Sequence, residues 1–169
     1  SDVFEVFSEK LGPGKNAAYL KELFKKAYLK HNNLADATRA LANELFADYG
    51  LVIIDANNKD LKQIFTPYVK QELLEQTAFK SVSKTIEEFP EAYKIQVNPR
   101  EINLFYTTEG VRERIIFEDG LFGVNNTNIT WTKDDLLKHI DTQPECFSPN
   151  VLLRPLYQEV ILPNLCYIG

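Results

Sequence analysis

The chain has 169 residues, of which 44% are hydrophobic and 25% charged, ordinary values for a globular protein with room for one sizeable core. Its formal net charge of −5 excludes a broad phosphate-backbone-binding role, and no apolar run approaches the ~20 residues of a membrane span. Neither nucleic acid nor a membrane is therefore an expected partner.

The first third reads as helical. After Gly12–Gly14, the stretch Asn16–Lys30 places Leu20, Leu23, Phe24, Ala27 and Tyr28 on one face. Asn32-Asn33 reads as a break and cap, and a second helix carries Leu34, Ala37, Leu41 and Leu45, ending at Tyr49-Gly50. Gly50–Asp55, a continuous β-branched run, predicts a buried parallel strand. Asn57-Asn58 then opens a helix over Leu61–Gln76, bent near Pro67, and a more polar helix covers Ser81–Phe89. Helix, glycine, apolar strand, Asp55 and helix together predict an α/β unit.

After Pro90 the pattern changes. Tyr93–Val97, Ile102–Thr107, Arg112–Phe117 and Leu121–Val124 predict short strands, and the Glu109-Gly110 and Asp119-Gly120 links predict antiparallel neighbours. Thr132 caps a helix with Leu136, Leu137 and Ile140 on its core face. The closing segment reads as strand Val151–Leu153, a short helix, and strand Leu165–Ile168. The expected organisation is 1–90 (a helical segment leading into the α/β unit), 91–131 (an inserted β region) and 132–169 (a helix, then strand–helix–strand). The chain stops at Gly169 directly after an apolar run, which predicts a longer protein.

Candidate chemistry lies in two blocks. In Asn98-Pro-Arg-Glu-Ile-Asn103, Arg100 is suited to an anionic group, with Glu101 or Asn103 holding a polar substrate. The alternative is a β-turn in which Arg100 and Glu101 pair with each other. In Asn150–Glu159, Pro155 restricts Arg154 and can start a helix, so Arg154, Tyr157 and Gln158 surround a helix N-terminus. Here the alternative is a buried Arg154–Glu159 ion pair. Arg112 and Arg114 share one strand face and read as solvated, and Asp55 is either a ligand group or a helix cap. His31 and His139, beside Lys30 and Lys138, read as solvated helix positions rather than metal ligands. Cys146 and Cys166 have neither metal-ligand nor disulfide-framework spacing, and read as reduced thiols of a cytoplasmic protein. No phosphate-binding glycine loop or nucleophile elbow is present. On residue chemistry alone a non-catalytic nucleotide- or anion-binding α/β module stays open.

Asp48–Asp55, Tyr93–Tyr106, Val111–Ile116 and above all Phe147–Gly169 together resemble the bacillithiol biosynthesis cysteine-adding enzymes, a family of cysteine ligases. The resemblance implies part of a Rossmann-like core with mainly parallel strands, a small antiparallel β region and flanking helices. It implies a longer ligase that joins cysteine to glucosaminyl-malate, of which this chain is an internal piece without activity of its own. ATP or ADP is an admissible nucleotide, no covalent cofactor or metal is expected, and a homodimer stays open. No catalytic residue carries over. Asn150, Arg154, Tyr157, Gln158 and Glu159 are implied to lie beside the functional cleft. Asn98, Arg100, Glu101 and Asn103 form a second block, structural or substrate-facing.

Overall fold

The computed structural model describes residues 2–162 and 164–166. By contact the chain divides into two units, Ser1–Asp55 and Ala56–Gly169.

The first unit is helical: α1 (Asp2–Leu11), α2 (Ala17–Lys30) and α3 (Leu34–Phe46). Leu23 and Ala27 of α2 meet Leu41 of α3, with Phe24 and Leu45 beside them, so the middle of each apolar stripe read from the sequence is packed, while Tyr28 and Leu34 at their ends are exposed. The Asn33 side chain caps α3 by accepting from the Asp36 N–H at 2.8 Å. Gly50 takes the left-handed conformation, φ 77°, that ends the helical run.

The strand expected at Gly50–Asp55 is not formed. A strand needs a neighbouring strand to take up its N–H and C=O groups, and none of the sheet's pairings includes this run. Val52 is 77% exposed.

The second unit opens with α4 (Lys59–Glu75) and α5 (Thr77–Glu87). Asn58 caps α4 through the Leu61 N–H at 3.1 Å, and Pro67 lies inside that helix. Then follow β1 (Leu104–Thr108), β2 (Val111–Glu118), β3 (Leu121–Val124), β4 (Thr130–Trp131), α6 (Lys133–Thr142), β5 (Phe147–Pro149) and α7 (Arg154–Ile161). Thr132 caps α6 by accepting from the Asp135 N–H.

The five strands form one sheet in the order β4-β3-β2-β1-β5, and every pairing is antiparallel. This corrects the expectation of a mainly parallel, Rossmann-like sheet: the architecture is α/β, but an antiparallel sheet with flanking helices. The cause is local. Thr108 pairs with Val111 and Glu118 with Leu121, so two-residue links reverse the chain and leave no room for a helical crossover. Asp119 and Gly120 both have positive φ, 51° and 80°, as the favoured hairpin turn requires.

Two other expected strands differ. Tyr93–Val97 has no strand partner, and Val151–Leu153 is a turn; the pairing strand is Phe147–Pro149, which adds to the free edge of β1. Leu165 and Cys166 are not in a strand. Tyr167 and Ile168, the rest of that expected strand, lie outside the described residues.

Register gives the sheet two unlike faces. Leu104, Tyr106, Ile115, Val124 and Phe147 point into a core completed by Phe65, Val69 and Leu73 of α4 and Leu136 and Ile140 of α6. The opposite face carries Phe105 opposite Arg114 and Thr107 opposite Arg112.

Candidate functional site

The Phe105 face of the sheet borders a groove of about 650 Å³, within the range of small-molecule sites. Its wall includes Asn98, Arg100, Arg112, Arg114, Asn150 and Arg154. The two motif blocks, some fifty residues apart in sequence, thus meet at one place. The Arg112 guanidinium lies over the Phe105 ring, 4.1 Å from its centroid, a stacking that orients a flat cation. Among the described residues no carboxylate lines this groove. None of the ion pairs Arg39–Asp36, Lys59–Glu145 and Lys70–Asp141 engages these four arginines.

The groove is supported by a buried polar chain. Glu72 on α4 is 1% exposed and Asn103 fully buried. Glu72 Oε1 accepts from the Asn103 backbone N–H at 3.0 Å and from its Nδ2 at 2.9 Å, while Oε2 accepts from the Ala78 N–H at 2.8 Å. Asn103 holds the Arg100 turn from both sides. Its Nδ2 donates to the Arg100 carbonyl at 2.6 Å, and its Oδ1 accepts from the Arg100 N–H at 3.2 Å. The same Oδ1 accepts from Asn150 Nδ2 at 2.9 Å. Asn150 Oδ1 in turn accepts from the Leu152 and Leu153 N–H groups at 2.9 and 3.2 Å, fixing the turn that leads into α7. Burying such groups is costly unless each is bonded, and here each is. Asn103 and Asn150 are therefore committed to Glu72, to each other and to the backbone, and the arginines are the groups that face outward.

The remaining members of the two blocks part company. Tyr157 is 3% exposed; its hydroxyl donates to the Ala56 carbonyl at 2.9 Å and its ring packs on Phe65, so it belongs to the core. Gln158 and Glu159 lie with Arg154 and Pro155 around a separate hollow of about 190 Å³. Glu101 lines a third, with Arg100 and Arg114. The alternative Arg154–Glu159 ion pair is not formed. Five residues apart on a helix, the two point in different directions, and Glu159 accepts from Asn164 Nδ2 at 2.6 Å. Arg100 and Glu101 likewise form no ion pair.

Lys62 and Glu72 went unnoticed in the sequence. Lys62, 4% exposed, donates to the Phe147 carbonyl at 2.7 Å and to Ser148 Oγ at 2.8 Å, tying α4 to β5. Their signal was position: both fall on the α4 stripe that carries Phe65, Val69 and Leu73, where a charged residue is buried and must be paired.

His139, expected to be solvated, instead packs on Tyr106, Trp131 and Phe147, with Nε2 3.2 Å from the Tyr106 hydroxyl. Burial pushes its imidazole below the ordinary value of 6.5, with Glu145 pulling the other way. Burial, and then Cys146, raise the Tyr106 hydroxyl. Burial and Glu145 raise the Cys146 thiol, which disfavours the reactive thiolate. Cys146 and Cys166 are both free. Among the described residues no cluster of three or more His, Cys, Asp or Glu side chains could hold a metal ion, and no helix is long and apolar enough to cross a membrane.

Ala56–Gly169 is thus an antiparallel α/β unit with an arginine-walled groove beside its sheet. The family model described as "Bacillithiol biosynthesis BshC, N-terminal Rossmann-like domain" matches residues 1–169. The chain is 59% identical, over its whole length, to the "Putative cysteine ligase BshC" of Flavobacterium johnsoniae, and covers 32% of that protein. The protein of the same name from Christiangramia forsetii is 54% identical over 99% of the chain, which covers 31% of it. That from Shouchella clausii is 32% identical over 89% of the chain, which covers 28% of it. This chain belongs to the BshC family. It spans about a third of the length of the curated relatives it matches.

Proposed function

We propose that the full-length protein is the ligase that joins cysteine to glucosaminyl-malate in bacillithiol synthesis, forming an amide between the cysteine carboxyl group and the glucosamine amine. We propose further that the groove of this chain faces its substrates. The observation that carries this reading is the convergence of Arg100 and Arg154, from the two family-like blocks, on one groove. Both substrates carry carboxylates, and a guanidinium fork matches a carboxylate in geometry and charge. ATP or ADP belongs to the same proposal, since the arginine set suits phosphate oxygens as well as carboxylates. The two free thiols suit the reducing cytoplasm in which we place the enzyme. With a third of the relatives' length, this chain is one portion of the catalytic protein.

Arg154→Ala in the full-length protein tests the reading. Arg154 is exposed, so stability should hold while bacillithiol formation, followed by mass from cysteine, glucosaminyl-malate and ATP, falls about tenfold or more, the loss of one charge-assisted contact. Unchanged product formation in a variant of unchanged melting temperature would overturn it.

A further inference from the structure

We propose that the groove holds one ligand bearing at least two anionic groups, carboxylates or phosphates, and that Arg112 and Arg114, which lie outside both candidate blocks, are two of its anion-binding residues. This deepens the reading above by naming the ligand class of the same groove.

The argument starts from charge. Four guanidiniums from three chain segments, Arg100 on a turn, Arg112 and Arg114 on β2, and Arg154 at the start of α7, border one volume without a lining carboxylate. Like charges gathered this way repel one another, and the nearby carboxylates, Glu101 and Glu118 around an adjoining hollow with Arg100 and Arg114 and Glu159 around another with Arg154, form no ion pair with them among the described residues. The chain as a whole is acidic, net −5, so a carboxylate-free wall does not reflect its composition.

Geometry narrows the ligand. Arg112 and Arg114 alternate on β2 and point to the same face. The Phe105 ring beneath Arg112 fixes that guanidinium by its face and leaves the N–H edge for an anion. A single carboxylate engages one fork bidentately and leaves the other cations unmatched. A volume of about 650 Å³ also exceeds what one carboxylate fills, and admits a small metabolite with anionic groups at two ends. Asn150 does not compete for it, since its amide is spent on Asn103, Leu152 and Leu153.

Carboxylate and phosphate sources share this chemistry, and a titration separates them. The full-length protein is titrated calorimetrically at low salt with malate, tripolyphosphate, ADP and acetate. The expected result is saturable binding of malate, of tripolyphosphate or of both, at least about tenfold tighter than acetate because a second charge-assisted contact is made. Malate alone binding assigns a dicarboxylate; tripolyphosphate and ADP alone binding assign a polyphosphate. Arg112→Gln and Arg114→Gln should each weaken that binding about tenfold, with Arg→Lys at the same positions as a charge-keeping backup if either glutamine variant does not fold. Two results would overturn the proposal: no multivalent anion binding better than acetate, or folded Arg112 and Arg114 variants binding within twofold of wild type. Either can occur while Arg154→Ala still lowers product formation, so the two readings fail separately.

Discussion

Glu72 shows how much one buried carboxylate can organise. Three N–H groups converge on its two oxygens, and through Asn103 it reaches both the Arg100 turn and the Asn150 turn. Glu72→Ala strands those donors in a site with 1% exposure. At about 1–3 kcal/mol for each unsatisfied buried group, the loss should reach about 3 kcal/mol or more in urea unfolding, a large share of a typical domain's stability. Glu72→Gln, which keeps a carbonyl acceptor, should lose clearly less; equal losses would mean that cavity formation rather than hydrogen bonding sets the cost. At this scale the sequence was half legible. Asn98, Arg100, Asn150 and Arg154 do share one groove. Residue type alone did not show that Asn103 and Asn150 would spend their amides within the protein, on Glu72, on each other and on backbone, because that depends on which turns they close. Nor did it show that Tyr157 turns inward, because aromatic rings with a polar tip suit core and site alike.

Elements were legible where periodicity is long and caps are local. α3 and α6 follow their asparagine and threonine caps, and α2, α3 and α6 form where their apolar periodicity places them, since both signals lie within a turn or two of the residue concerned. Strand pairing is a longer-range property. Gly50–Asp55 has the composition of a buried strand, yet composition does not supply a neighbour, and β5 forms at Phe147–Pro149 because β1 offers its edge there. The seating of α6 on the sheet gives an element-scale prediction. His139 of α6 packs among Tyr106 of β1, Trp131 beside it and Phe147 of β5, and burial lowers its pKa from 6.5. The unfolded chain therefore takes up this proton at higher pH than the folded one. Its contribution to stability is fully present above about pH 6.5 and is lost as pH falls through the lowered native value. Urea midpoints measured from pH 7.5 downward should decline more steeply in wild type than in His139→Gln, which stays neutral and can still bond the Tyr106 hydroxyl. Parallel declines would remove His139 as the cause.

At the scale of the whole molecule, burial is unevenly shared. The large core, from Phe65 on α4 through the sheet to Tyr157 on α7, lies wholly within Ala56–Gly169. Every described residue that borders the arginine groove lies there too. Among the described residues of Ser1–Asp55 the buried apolar side chains are Ala17, Leu23, Ala27, Ala37 and Leu41, and only Leu23, Ala27 and Leu41 of them form a cluster. A segment of that length buries too small a fraction of its surface to be more than marginal even with a good core, and helices this short need tertiary packing to persist in water. Residues 56–169 expressed alone should consequently unfold in one cooperative transition and give dispersed amide resonances, whereas residues 1–55 alone should melt without one. Because Glu72, Asn103 and Asn150 hold the groove from within the larger unit, the shorter chain should also keep the Arg100 and Asn150 turns ordered, read as slow amide exchange at Asn103 and Asn150. Fast exchange at both positions in an otherwise folded 56–169 chain would show that the groove's geometry depends on residues outside that unit, and that its arginines are positioned only in the longer protein.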